Sequence, residues 1–286
     1  IHLHPLSPPS LGRRYTAEEL LLGGLELRAL HSAGFTVHEL KRAGCSAEEV
    51  RDEAGASLAE LHAGGFDASV LLDAGHEVSE LRAAGVPAAE LGAAGIDAAE
   101  LCGAGYDASA LRVGGWTAAE LDDAGVGAAE LHAAGFSAAE LVPLHTLDAI
   151  RKAGVSPAEL TSAGCSAAAM LRAGYSVGEL RAAPCSAAEL REAGQTATQL
   201  REGGYTLSEL TSAGYTPTEL REASFASAEL LSIGIAAAQL REAGYSAADL
   251  DSAGCTPRTL RTAGCSAAEV FSHVCAPPSM GGGADR

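Results

Sequence analysis

Seven cysteines and nine histidines are the residues of this 286-residue sequence whose types are best suited to chemistry. Six of the cysteines, Cys45, Cys165, Cys185, Cys255, Cys265 and Cys275, share one position of a ten-residue period, and the last three fall in consecutive units. Tetrahedral zinc needs four converging thiolate or imidazole ligands, and His273 would be the fourth beside Cys255, Cys265 and Cys275. A disulfide among those three is the other chemistry open to them. A spacing of ten supplies no local chelating loop, however, and a free cysteine serves well as a small buried apolar residue. His2 and His4 form a weak H-x-H pair. His31, His62 and His132 stand where arginine is common in other units, which favours a solvated surface role, and His76 and His145 share the cysteine column. Eleven of the twelve aromatic residues, all but Phe271, lie in that column too. Such a row could stack bases or other flat ligands, but cysteine, valine and isoleucine at the same positions favour a core. The expectation is therefore no catalytic, cofactor-binding or metal-binding residue, and no cofactor.

These side chains are placed by a decapeptide close to S-A-A-E-L-R-E-A-G-Y that recurs 26 times, as in Ser186-Ala-Ala-Glu-Leu-Arg-Glu-Ala-Gly194. Its large aliphatic residue falls at 20, 30, 40 and 50, then in tens from 61 to 141 and from 150 to 270. It is Leu at 22 of the 26 positions, with Val50, Ile150, Met170 and Val270 at the others. One residue is inserted near Asp52–Gly55 and one is missing near Val142–His145. The pattern resumes at once after each slip, so both read as local kinks, not domain boundaries.

Four residues before the aliphatic stands Ser, Thr or Asp in 20 of 26 units, and an acidic residue follows three later in 18. Ser/Thr-x-x-Glu is the capping box, in which two orphan amides at a helix start are satisfied reciprocally. Pro157, Pro217 and Pro257 sit directly after the cap, the first helical position, which tolerates a missing N–H. Gly stands at 22 of the 25 junctions, where a helix must stop in the left-handed conformation. An apolar plug such as Phe35, Phe66, Tyr106 or Trp116 follows it. Arg after the aliphatic, as at Arg181 and Arg191, complements the negative end of the helix dipole. A helix this short is unstable alone, so neighbouring units must stack, burying leucines at roughly 1.5–3 kcal/mol each. The sequence therefore predicts an all-α fold, an α-solenoid of about 26 ten-residue short-helix repeats. Read every fifth residue, the chain also resembles the pentapeptide-repeat β-helix; caps, prolines and glycines of period ten have no role there and favour helices.

At the point where caps, leucines and glycines coincide, the chain resembles the A-G-(Phe/Tyr)-S-A-x-E-L-(Lys/Arg)-x decapeptide arrays of bacteria and unicellular algae. The resemblance covers residues 15–271 and implies no catalytic motif, because those arrays have no common activity.

Residues 1–14 read as a non-repeat extension, 15–275 as the array and 276–286 as a flexible tail. The net charge of −18 argues against a nucleic-acid groove. No run approaches the roughly 18 apolar residues of a membrane span. Ile1 at the start is compatible with removal of a targeting peptide, and chloroplast or another organelle is the compartment that reading suggests. The acidic column, seventeen Glu and Asp249, is expected to form a ridge along the solenoid, capping helices and open to a basic partner. With two helices advancing the stack by 8–10 Å, the array would reach on the order of 100 Å. The expected function is thus a non-enzymatic scaffold or linker lying along other protein subunits of a large complex. The resemblance suggests an algal photosynthetic antenna supercomplex. The alternative is a repetitive surface that binds ice, glycan or cell envelope.

Overall fold

The computed structural model describes residues 15–274, with side chains to residue 270. His2, His4, Cys275 and the tail lie outside the described residues, as do the side chains of Phe271 and His273. Within this range are 26 short α-helices and no strand. The helix Ala187–Glu192 shows how one decapeptide makes one helix. Ser186 Oγ accepts from the Glu189 amide at 3.2 Å, and the Glu189 carboxylate accepts from the Ser186 amide at 2.7 Å. At the other end the Gly194 amide donates to the Arg191 carbonyl at 2.9 Å and the Gln195 amide to the Leu190 carbonyl at 3.0 Å. That pair of bonds is a Schellman closure, with glycine supplying the left-handed residue. The same leucine is thus both the core residue and the acceptor that ends its helix.

All 22 glycines expected at helix stops have positive φ. At Ser224 the chain makes the same turn without glycine, at φ 61°. Pro184 cannot: it has no N–H, and the residue before a proline avoids helical geometry. Ala183 is accordingly extended, at φ −88° and ψ 162°, and the Cys185 amide donates to the Ala183 carbonyl at 2.7 Å. Pro157, Pro217 and Pro257 occupy the first helical turn as expected.

Within each of the two compact units into which the chain divides, the helices stack on their second neighbours, so alternate repeats build two adjacent stacks. From Leu40 to Leu260 the aliphatic position is fully buried in every repeat. The first helical residue, usually Ala, is buried or half-buried in most repeats, because a small side chain there lets stacked helices approach closely. The plugs Phe35, Phe66, Phe136, Tyr175, Tyr205, Tyr215, Phe225 and Tyr245 complete the core.

The chain divides into two compact units between Leu144 and His145, at the second register slip. There Pro143 ends the helix Ala138–Leu141 after four residues. The first slip lies inside the first unit and is absorbed in a widened stop: Gly55 N–H reaches the Arg51 carbonyl and Ala56 N–H the Val50 carbonyl, one residue further back than elsewhere. The next helix, Leu58–Ala63, starts normally. No helix among the described residues is long and apolar enough to cross a membrane.

Candidate interaction surface

Because alternate helices stack, the acidic column is not one ridge but two rows, and they differ. In the first unit one stack carries an exposed carboxylate before every core leucine: Glu19, Glu39, Glu60, Glu80, Glu100, Glu120 and Glu140. The other stack has Ala29, Glu49, Val70, Glu90, Ala110 and Glu130 at the same position, so every second helix lacks the charge. In the second unit the unbroken row is Glu189, Glu209, Glu229, Asp249 and Glu269. Residues 1–144 contain 22 Asp and Glu against 8 Lys and Arg, whereas residues 145–286 contain 15 against 11. The net charge is therefore concentrated in the first unit.

Most of these carboxylates also cap their helices; Glu90, Glu100 and Glu130 do not, Glu90 because Pro87 at its cap has no N–H to give. The Thr206 amide donates to Glu209 at 2.6 Å and the Thr206 hydroxyl at 2.7 Å, while Arg181 from three repeats earlier adds a bond at 2.9 Å. These donors hold the Glu209 carboxyl down at about 2. Capping amides and hydroxyls likewise lower Glu60, Glu120, Glu140 and Glu189.

Basic residues after the core leucine do more than meet the helix dipole. They reach along the stack to the second repeat on and lie over its aromatic plug: Lys41 over Phe66, Arg112 over Phe136, Arg181 over Tyr205, Arg191 over Tyr215 and Arg201 over Phe225, at 4.7–5.6 Å. Arg191 and Arg112 also donate to the carbonyls of Ala213 and Ala134 at 3.0 and 3.4 Å. Tyrosine plugs bind backward: Tyr106, Tyr175, Tyr205, Tyr215 and Tyr245 donate to the carbonyls of Val86, Val155, Cys185, Gln195 and Phe225, each 20 residues earlier, at 2.5–2.8 Å. Burial pushes the Tyr205 hydroxyl up to about 12. These hydroxyls are stitches between repeats.

The candidate chemical residues are accounted for in the same way. Cys185 and Cys265 are buried, Cys45, Cys102, Cys165 and Cys255 half-buried, and all six are free. Burial raises the thiols of Cys45, Cys102, Cys165, Cys185 and Cys255, away from the thiolate that reacts or binds metal. No group of three metal-ligating side chains converges among the described residues. His31 and His62 are not simply solvated. His31 Nδ1 lies 3.1 Å from the Ala54 carbonyl, and His62 Nε2 lies 2.9 Å from Glu90. His76 lies between Arg51 and Glu80, at 3.3 and 3.4 Å.

Four glycines that do not have positive φ, Gly64, Gly92, Gly114 and Gly203, answer a larger residue elsewhere. A Cβ at Gly64 would meet Val37 Cγ1 at 2.4 Å, and one at Gly203 would meet Val177 Cγ1 at 2.5 Å. A Cβ at Gly92 would fall 2.5 Å from the Trp116 ring. Most repeats have Ala where Gly64 and Gly203 stand and often a long side chain where Gly92 stands.

Capped short helices, Schellman stops and second-neighbour stacking define this chain as an all-helical repeat protein of the solenoid class. The family model of the decapeptide repeat region matches residues 14–88, 75–144, 145–217 and 194–267, so the chain belongs to that family. No curated protein matches it.

Proposed function

We propose that this protein is a non-enzymatic scaffold subunit that binds basic surfaces of protein partners along the acidic face of its first unit. The observation that supports this most directly is the unbroken row from Glu19 to Glu140, seven exposed carboxylates on successive helices of one stack. A row at the interhelical spacing of 8–10 Å presents like charges at regular intervals, which steers a partner of opposite charge and fixes its register. The antenna supercomplex of an alga is one setting for such a subunit, and that choice rests on the resemblance of the repeats alone. The alternative of ice, glycan or envelope binding would need free hydroxyls, but the cap hydroxyls at Thr36, Ser57, Thr117, Ser156, Ser186 and Thr216 all donate to the carboxylates of their own helices.

Glutamine keeps the capping box while removing the charge, as Gln199 does here, accepting from the Thr196 amide at 2.8 Å. Affinity capture from the source cell with the wild-type chain and with Glu39→Gln/Glu60→Gln/Glu80→Gln/Glu100→Gln tests the proposal. The wild type is expected to retain a basic partner at low salt and release it at high salt, and the variant is expected to lose it. Capture that is indifferent to both salt and substitution would overturn the reading.

A further inference from the structure

The pairing of cations with plugs has one exception. Nine aromatic plugs have a repeat two before them within the described range, and eight carry Lys or Arg at the matching position: Lys41 for Phe66 and an arginine 24 residues before each of the others. Trp116 has Gly92 instead. The indole lies close over Gly92 and Gly114, whose Cβ atoms would fall 2.5 and 2.4 Å from the ring. The missing side chain at 92 therefore makes room for the larger ring. It also leaves the best cation–π acceptor among the side chains without the cation its counterparts have.

Trp116 lines an open groove of about 340 Å³ between the stacked helices Ala98–Gly103 and Ala118–Asp123. The same groove is lined by three carboxylates, Asp97, Glu120 and Asp123. Asp97 and Glu120 each use one oxygen for capping, at 2.8 Å from the Glu100 and Thr117 amides. None of the three is ion-paired among the described residues. An indole beside three carboxylates is the chemistry that recognises an organic cation: the ring attracts it through its quadrupole and the carboxylates through charge. Two other grooves of the first unit, lined by Phe66 and Phe35, have a histidine of the chain itself, His62 and His31, at the repeat position that Gly92 holds for this one.

We propose that the Trp116 groove receives one basic side chain, the ammonium of a lysine or the guanidinium of an arginine, from a protein partner. It takes from outside the cation that the other aromatic plugs draw from their own chain. This rests on the scaffold reading above and gives it an anchor point within the acidic face, with Glu120 shared between row and groove.

Trp116 is the only tryptophan, so its emission reports the groove directly. The full chain is titrated at low ionic strength with Nα-acetylarginine amide, Nα-acetyllysine amide and the uncharged isostere Nα-acetylcitrulline amide. The two cations are expected to give a saturable change in emission, with citrulline about tenfold weaker or absent. Asp97→Asn/Glu120→Gln/Asp123→Asn is expected to weaken the cation response about tenfold. Asparagine still caps a helix and glutamine still closes the box, so circular dichroism should show that variant fully helical. A response to citrulline equal to that of arginine, or an undiminished response in the triple variant, would overturn the proposal. A partner captured equally by wild type and triple variant would also remove this site while leaving the acidic row standing.

Discussion

At the scale of single residues, the side chains that invite a chemical reading turn out to be fitted to one another across repeats. Gly203 lies in helical geometry, where alanine is ordinarily better by about 0.5–1 kcal/mol. Here its Cβ would sit 2.5 Å from Val177 Cγ1, and overpacking of that kind costs about 1–3 kcal/mol. Overpacking wins, so Gly203→Ala is expected to destabilise the chain by about 1–2 kcal/mol. With Val177→Ala present the same change should become stabilising. Urea titration of the four chains of this cycle measures the reversal, and additivity would contradict the contact. Tyr205→Phe leaves the buried Cys185 carbonyl without its donor and is expected to cost about 0.5–1.5 kcal/mol.

At the scale of the helix, the sequence is close to a complete specification, because caps and stops act within one decapeptide. The cap serines, the carboxylates three residues on, the prolines at the first turn and the glycine stops are all readable from residue type and spacing. Ser224 is the informative exception. A left-handed conformation costs an L-residue about 1–2 kcal/mol, and glycine returns part of that as unfolded-state entropy. Ser224→Gly should therefore stabilise by about 0.5–1 kcal/mol, read by chemical denaturation. The capping carboxylates make helix formation pH-dependent. A carboxyl group whose folded pKa lies below its unfolded value stabilises the fold above the unfolded value and loses that contribution as pH falls through the folded one. Glu209 falls from 4.5 to about 2, and capping lowers Glu179, Glu189, Glu219 and Asp249 as well. The melting temperature should hold from neutrality to about pH 5 and drop between about pH 4.5 and 2, with a shallower drop in Glu209→Gln. A flat profile across that window would mean that the boxes do not contribute.

At the scale of the whole chain, what the period of ten hides is the period of twenty. Which helix lies on which is decided by packing, so the division of the acidic column into two unlike rows follows from the stacks and not from any single repeat. The signal was nevertheless present in the sequence: an arginine 24 residues before Tyr106, Phe136, Tyr175, Tyr205, Tyr215, Phe225 and Tyr245, and a glycine 24 before Trp116. A comparison of each unit with its second neighbour exposes it. Continuity of the exposed row depends on the parity of the repeats, so a partner bound along it responds to the number of repeats removed. Deleting residues 78–87 removes one decapeptide and moves Glu100, Glu120 and Glu140 to the opposite stack from Glu19, Glu39 and Glu60. Deleting residues 68–87 removes two and restores an unbroken row. Salt-sensitive capture of the basic partner by these two full-length-minus-repeat chains, both checked as helical, is the most direct measurement. The longer deletion is expected to bind like the intact protein and the shorter one to lose the partner. Equal binding by the two would contradict the role assigned to the row.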